Sequence, residues 1–301
     1  MASGFLSDRQ QRVKLGQSIS DWLTMKGAMP QGSYFGPLSF VVFIMDMPHP
    51  DAVKSVKYVD NTTLSESIKK HAASQMQETA DMIQDWSESN KMKINESKTK
   101  ELFISMKRPP ATHPSLTING KSIERVSNFK LLGVWMSDDL TWNEHVTHML
   151  SRAAPKLYYL KQLKRAGLSV DDLIVYYRSV IRSSLEYASP VWNAGLTKKH
   201  SEDIERIQKR ALKTIFPDSD YELALQISGL DQLCDRREKL DRAKFDQIKT
   251  PNHRLNYMLP EKSQNLNTTR REALEYPKPK FHNKRFKKNC IVNTLYFWNY
   301  N

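Results

Sequence analysis

Residues 56–67 read VKYVDNTTLSES. Two short runs, Val53 to Val59 and Thr62 to Ser67, flank Asp60 and Asn61. Alternation with a period of two is the signature of a strand, so the segment predicts a hairpin with Asp60-Asn61 at its tip. That pair has two readings. Short polar side chains bond their own backbone and tolerate left-handed angles, so Asp-Asn is a good turn pair in its own right. Alternatively, Asp60 is a metal ligand and Asn61 stands where a second ligand belongs. The surrounding chain has to decide.

Upstream, QQRVKLGQSISDWLTMKGA predicts a strand pair, with Val13 and Leu15 alternating with charged residues and Ile19 in the next run. Gly27 precedes Met29-Pro30-Gln31-Gly32-Ser33, where Gly32 supplies a permissive turn residue. A helix is expected near Pro37, a residue suited to a first turn. Its Leu38, Val41, Val42 and Met45 fall at i, i+3, i+4 and i+7, which predicts one buried face.

Downstream, residues 68–91 predict an amphipathic helix carrying Met76, Ala80, Ile83 and Trp86. Lys98-Thr99-Lys100 leads into a short strand at 101–104. Asn119-Gly120 marks a second hairpin. Residues 129–135 read as an apolar strand. Alternating strands and helices make the first 135 residues α+β.

From about 140 to 245 the pattern is almost wholly helical. Pro155 is expected to interrupt the first stretch. Ser169 with Asp172 resembles a helix start, opening a helix through Leu173 toward Tyr187. Ser201 opens another, with Ile204, Ile207, Ala211 and Ile215 inward. Arg206, Lys209, Arg210 and Lys213 fall on its other side, as ordinary solvated surface or as a surface that tracks a nucleic-acid backbone. Beyond 250 the chain turns Pro-rich and basic, and apolar periodicity returns only in the last dozen residues.

Composition bounds the partners. The 301 residues are 39% hydrophobic and 26% charged, enough apolar material for a core and too much for wholesale disorder. Lys and Arg outnumber Asp and Glu by 46 to 33, a net charge of +13 that favours an anionic partner. The longest apolar run, Leu38 to Met47, is broken by Ser39 and Asp46 and is shorter than the about 20 residues a bilayer span needs. The first residues carry no apolar signal region. The reading is therefore no membrane, no secretion, and a nuclear or cytoplasmic setting. Cys234 and Cys290 form no metal-binding spacing.

Five blocks now stand in order: FLSDRQQRVKLG (5–16), GAMPQGSYFGPLSFVVFIMDMP (27–48), VKYVDNTT (56–63), NESKTKELFI (95–104) and NFKLLGVWMSDDLTWNEHV (128–146). Together they resemble the reverse transcriptase of a non-LTR retrotransposon, of the jockey-like kind. The resemblance implies a partial polymerase palm over residues 1–135, a helical thumb over 136–250 and a basic C-terminal segment over 251–301. It implies RNA-directed DNA synthesis by two-metal phosphoryl transfer, with Mg2+, an RNA template, a DNA primer and deoxynucleoside triphosphates.

Residue by residue, Tyr58 and Asp60 match the family's Y-x-D-D turn, with Asp60 as the metal ligand, and Asn61 departs from it. Pro30, Gln31, Gly32 and Ser33 match the loop beside nucleotide and template. Lys98 matches a lysine near the triphosphate. Phe129, Leu132 and Gly133 match the strand pair that holds the primer end. The family's first catalytic aspartate lies upstream of the first block, so this reading expects it to be absent here. With Asn61 in place of a carboxylate, it also expects the chain to be inactive alone. The alternatives are a non-catalytic remnant that grips nucleic acid through Arg206, Lys209, Arg210, Lys213 and a tail in which Phe281, Phe286, Phe297 and Trp298 interleave with lysines and arginines, or the product of a decayed element with no selected role.

Overall fold

The computed structural model describes residues 10–25, 34–69, 72–105, 113–262, 276–277, 280 and 290–297. It mixes helix and strand in the α+β manner. The chain divides into two units, Met1–Glu101 with Pro114–Glu124, and Leu102–His113 with Arg125–Asn301.

The first unit is built from small hairpins and two helices. Gln10–Gln11 pairs with Leu23–Thr24, and inside it Lys14–Leu15 pairs with Ser18–Ile19. The Ser20 hydroxyl accepts from the Val13 N–H at 2.9 Å and closes the inner turn. The helix near Pro37 spans Phe35–Phe43. Its expected buried face is not buried within the unit: Leu38, Val41, Val42 and Met45 are all exposed, while Gly36, Ile44 and Met47 point inward. The apolar spacing is right for a helix, but nothing described in this unit covers it.

The hairpin read first pairs Val53–Tyr58 with Asn61–Glu66, antiparallel, with Tyr58 opposite Asn61. Its outer end is tethered. Glu66 accepts from the Ser74 hydroxyl at 2.7 Å and from the Gln75 N–H at 3.0 Å. That tether keeps residues 72–75 out of helix, so the following helix is Met76–Ser89 and not 68–91. The Gln77 side-chain amide donates to the Thr117 carbonyl through Nε2 and accepts from the Thr117 N–H through Oε1, each bond 2.9 Å, and so fixes the second hairpin. Asn119 (φ +51°) and Gly120 (φ +70°) make that turn, as their pairing predicts. Ala80, Ile118 and Ile123 form the small core beneath. The strand expected at 101–104 is reduced to Lys100–Glu101.

The second unit carries the main core. Residues 128–137 form two strands, Asn128–Leu131 and Val134–Ser137, where the apolar run reads as one. Leu132 (φ +45°) and Gly133 (φ +90°) turn between them. The helix Asn143–Arg165 runs unbroken through Pro155. Proline removes one N–H and crowds the preceding turn, but Ala153, Leu157 and Leu160 on either side are buried, and that packing holds the helix together.

Ser169 caps Val170–Tyr176 by accepting from the Asp172 N–H at 3.2 Å. A wider π-turn, Tyr177–Arg182, and the short helix Ser183–Glu186 continue the chain. Ser189–Trp192 leads to Lys198–Ile215, which is capped by Thr197 and so begins three residues before Ser201. Tyr221–Ser228 and Leu233–Lys249 follow.

Val146, Leu160, Leu173, Ile204, Leu212 and Trp192 are among the buried residues of this core. Gly195 lies so close to the Trp142 ring that an added Cβ would fall 2.1 Å from Nε1. One polar knot sits inside: Gln208 donates to the Tyr221 hydroxyl at 2.8 Å and to the Asp231 carbonyl at 3.0 Å, and Glu205 accepts from the Leu233 N–H at 3.0 Å. The C-terminal helix Cys290–Phe297 joins a second cluster of Phe245, Ile248, Tyr276, Ile291 and Leu295.

Candidate active site

The first candidate is the tip of the Val53–Glu66 hairpin. The pairing of Tyr58 with Asn61 makes Val59-Asp60 the two-residue loop, one step before the Asp60-Asn61 turn expected. Two-residue hairpin loops need a positive φ at their first central position. Val59 supplies it at +52°, a costly angle for a β-branched residue. Strain of this kind costs about 1–3 kcal/mol and persists only where the flanking ladder enforces it. Asn61 thus becomes the first residue of the returning strand. Tyr58, Asp60 and Asn61 are exposed together, and Asn61 Nδ2 lies 3.4 Å from Asp60 Oδ1.

The hairpin is braced one residue pair from its tip. The Lys57 ammonium donates to the carbonyls of Ile44 at 2.6 Å and Met45 at 3.3 Å, at the end of the Phe35–Phe43 helix. Partial burial lowers its pKa, and the nearby Asp46 carboxylate opposes that shift. Cation and helix carbonyls complement each other there. Sequence reading passed over Lys57. Its signal was a lysine one residue before the tyrosine of the turn, and so on the opposite face of the strand from it.

As a metal site the tip offers one carboxylate and one uncharged amide. Magnesium sites rest on carboxylates plus substrate phosphates, and two ions about 4 Å apart require more than one. Among the described residues no group of three or more His, Cys, Asp or Glu is placed to hold a metal ion. The donors present do not fit a two-ion centre.

Pro30, Gln31, Gly32 and Ser33 lie outside the described residues. Lys98 sits on a separate turn wound around Asn95, whose Oδ1 accepts from the Lys98 N–H at 3.1 Å and the Ser97 hydroxyl at 2.7 Å. Its side chain is exposed.

In the second unit, the Leu132-Gly133 turn is pinned from above. The Tyr187 hydroxyl donates to the Leu132 carbonyl at 2.9 Å, and its ring lies 3.0 Å from where a Gly133 Cβ would stand. Phe129 is half-buried at the other end of the hairpin. Tyr187 was not singled out in sequence, because its partner lies 55 residues away. Gly133→Ala meets both the positive φ and the ring. It is expected to lower stability by about 1–2 kcal/mol, read as a lower denaturation midpoint. An unchanged midpoint would show that the turn relaxes freely.

Arg206, Lys209, Arg210 and Lys213 are all exposed on the Lys198–Ile215 helix. Two are already engaged: Arg206 pairs with Asp203 at 2.8 Å, and the Lys209 ammonium lies 5.0 Å from the centre of the Tyr221 ring. Of the tail cations Lys280 is described and exposed; Phe281, Phe286 and Trp298, and the side chain of Phe297, are outside the described set. Among the described residues no helix is long and apolar enough to cross a membrane.

Comparison with known proteins bears on this arrangement. Residues 8–136 match the reverse transcriptase (RNA-dependent DNA polymerase) family. The RNA-directed DNA polymerase from mobile element jockey of Drosophila melanogaster is 28% identical over 228 residues, covering 71% of this chain and 24% of the relative. The probable RNA-directed DNA polymerases from transposon X-element and transposon BS of the same organism are each 25% identical over 224 residues, with 71% and 70% of this chain covered and 24% of each relative. The chain thus spans about a quarter of the length of these curated relatives. No solved structure matches it. Over residues 8–136, with the hairpin of Tyr58, Asp60 and Asn61 inside them, the chain matches the reverse transcriptase family, and its similarity to these relatives supports a kinship of the jockey-like, non-LTR retrotransposon kind.

Proposed function

We propose that this chain is the palm and thumb portion of an RNA-directed DNA polymerase, and that its own catalytic hairpin is only half furnished. The observation that supports the reading is the hairpin, with Tyr58, Asp60 and Asn61 exposed together at its tip inside the matched region. In this reading residues 1–135 are palm, 136–250 thumb and 251–301 a basic extension. Asp60 occupies a metal-ligand position, and Lys98, Pro30, Gln31, Gly32 and Ser33 are assigned to the nucleotide and template. The Leu132-Gly133 turn, held by Tyr187, supports the primer end together with Phe129. The polymerases named above act through RNA templates and DNA synthesis, and the partners proposed here are the same: RNA template, DNA primer and deoxynucleoside triphosphates.

Asn61 favours a second role beside the first. A chain that keeps the fold and the net charge of +13 but has one carboxylate at the tip retains the means to hold nucleic acid and lacks the means to join nucleotides. Arg206, Lys209, Arg210 and Lys213 are the proposed backbone contacts.

Binding tests this directly. The chain is expected to bind a recessed RNA–DNA primer–template without sequence preference. The affinity should fall by orders of magnitude between 50 and 200 mM salt if six or more phosphates are contacted. Reversing Lys209, Arg210 and Lys213 to Glu should weaken binding further and flatten the salt slope. An affinity indifferent to salt would remove the charge-driven basis of the proposal.

A further inference from the structure

The Asn143–Arg165 helix buries Val146, Met149, Ala153, Leu157 and Leu160. At about 100° per residue, His148, Arg152, Pro155 and Tyr159 fall within about 60° of one another on the opposite, solvent side. Both ends of this stripe carry flat rings. At one end Trp135 stacks on His148, with centroids 4.4 Å apart and planes 12° from parallel. Trp135 lies on the Val134–Ser137 strand directly across from Lys130, which is exposed. At the other end Tyr158 and Tyr159 stand edge to face at 5.7 Å, 61% and 58% exposed. Arg152, exposed, lies between.

The helix has one acid, Glu144, against five bases, Arg152, Lys156, Lys161, Lys164 and Arg165. Glu144 sits at the extreme end and is 3.8 Å from His148.

We propose that this stripe is a track for an unpaired strand of nucleic acid. Trp135–His148 and Tyr158–Tyr159 form two stacking platforms, and Lys130 and Arg152 meet the phosphates between them. The proposal rests on the nucleic-acid reading above and extends it from Lys130 and Trp135 of the fifth block to a helix face beyond that block. From His148 to Tyr159 the helix rises about 16 Å, long enough for a short run of nucleotides. His148, Tyr158 and Tyr159 are exposed and Trp135 is half-buried, and rings interleaved with cations suit bases without regard to sequence, because every base has a π-face. Tyr, Trp and Arg also mark protein interfaces, so what favours nucleic acid here is the stripe's excess of bases over acids. Its charge complements a polyanion.

The test is anisotropy of a labelled twelve-residue oligodeoxythymidylate with the full chain across a salt series. Tyr158→Ala with Tyr159→Ala is expected to weaken binding about tenfold or more while leaving the salt slope unchanged. Arg152→Ala is expected to reduce that slope by about one. Tyr159→Phe keeps the ring and should keep the affinity, which separates stacking from any general disturbance of the fold. Glu144→Gln should tighten binding. Ile227→Ala, an exposed apolar change on another helix, should do nothing.

If the wild-type chain binds and the double tyrosine variant binds within twofold of it, the track is wrong and the nucleic-acid reading stands. If the wild-type chain shows no binding at low salt, both fall.

Discussion

The purified chain is expected to add no nucleotide to a primer annealed to an RNA template, in magnesium or in manganese, and Asn61→Asp alone is expected to leave that unchanged. The expectation follows from the donors at the hairpin tip. Asp60 supplies one carboxylate, Asn61 contributes no charge, and no other described cluster of acids is placed to hold an ion. Asn61→Asp restores the second charge at the tip, which should raise affinity for divalent ions at that position. It does not supply the further carboxylates that a two-ion centre draws from elsewhere in a palm. Nor does it position a nucleotide, and positioning accounts for a large share of the barrier lowered in such reactions. The measurement is single-nucleotide extension of a labelled primer at enzyme excess. Extension by the unaltered chain would show that Asp46, beside Lys57, or another acid completes the site.

Stability should depend on pH through two buried groups that oppose each other. Asp241 is buried beside Arg237, accepts from Asn193 Nδ2 at 2.8 Å, and has one oxygen with no hydrogen-bond partner among the described residues. Burial raises its pKa from 3.8 to about 6, against the pull of the Asn193 bond and of Arg237. A carboxyl with a raised folded pKa adds stability at low pH, and that stability is lost as pH rises through about 6. The amount is about 3 kcal/mol.

His145 runs the other way. It is buried between Trp142 and Trp192, accepts from the Trp135 N–H at 3.4 Å through Nδ1, and has Nε2 unpartnered among the described residues. Burial lowers its pKa from 6.5 to about 4. A histidine held neutral adds stability above pH 6.5, and that stability is lost as pH falls through about 4, again about 3 kcal/mol.

Between pH 4 and 6 the two changes offset, so the wild-type profile is expected to be nearly flat. Single variants separate them. Asp241→Asn should lose stability steadily from pH 6.5 to 4. His145→Phe should gain stability over the same acidification. Urea midpoints at half-unit steps read both, and parallel profiles for all three proteins would contradict the assignment.

Much of this molecule was legible in its sequence where the cause was local. The Asn119-Gly120 turn forms because both residues accept positive φ, and the Ser169 cap forms because its hydroxyl reaches the Asp172 N–H. The hairpin at 53–66 follows from alternation. What was misread depended on distant partners. Glu66 holds Ser74 and Gln75 and delays a helix by eight residues. Buried packing carries a helix straight through Pro155. By its apolar run residues 129–135 looked like one strand, since such a run does not show where Leu132 and Gly133 turn; only the resemblance implied a strand pair there. The face of Leu38, Val41, Val42 and Met45 was expected to be buried, since spacing gives a stripe but not what lies against it. In the candidate site, the placing of Asp60 and Asn61 together at an exposed hairpin end followed from the pattern. The one-residue shift of the turn onto Val59, the Lys57 brace and the Tyr187 clamp did not, because each depends on pairing with residues elsewhere in the chain.

The central claim is that this hairpin is a polymerase hairpin lacking one carboxylate. The most direct measurement joins the upstream part of a jockey-type relative to this chain, once with Asn61 and once with Asn61→Asp, and follows primer extension on an RNA template. The account predicts magnesium-dependent extension by the Asn61→Asp fusion and at most a trace with Asn61 retained. Equal extension by the two fusions would contradict it, because Asn61 would then lie outside the reacting centre.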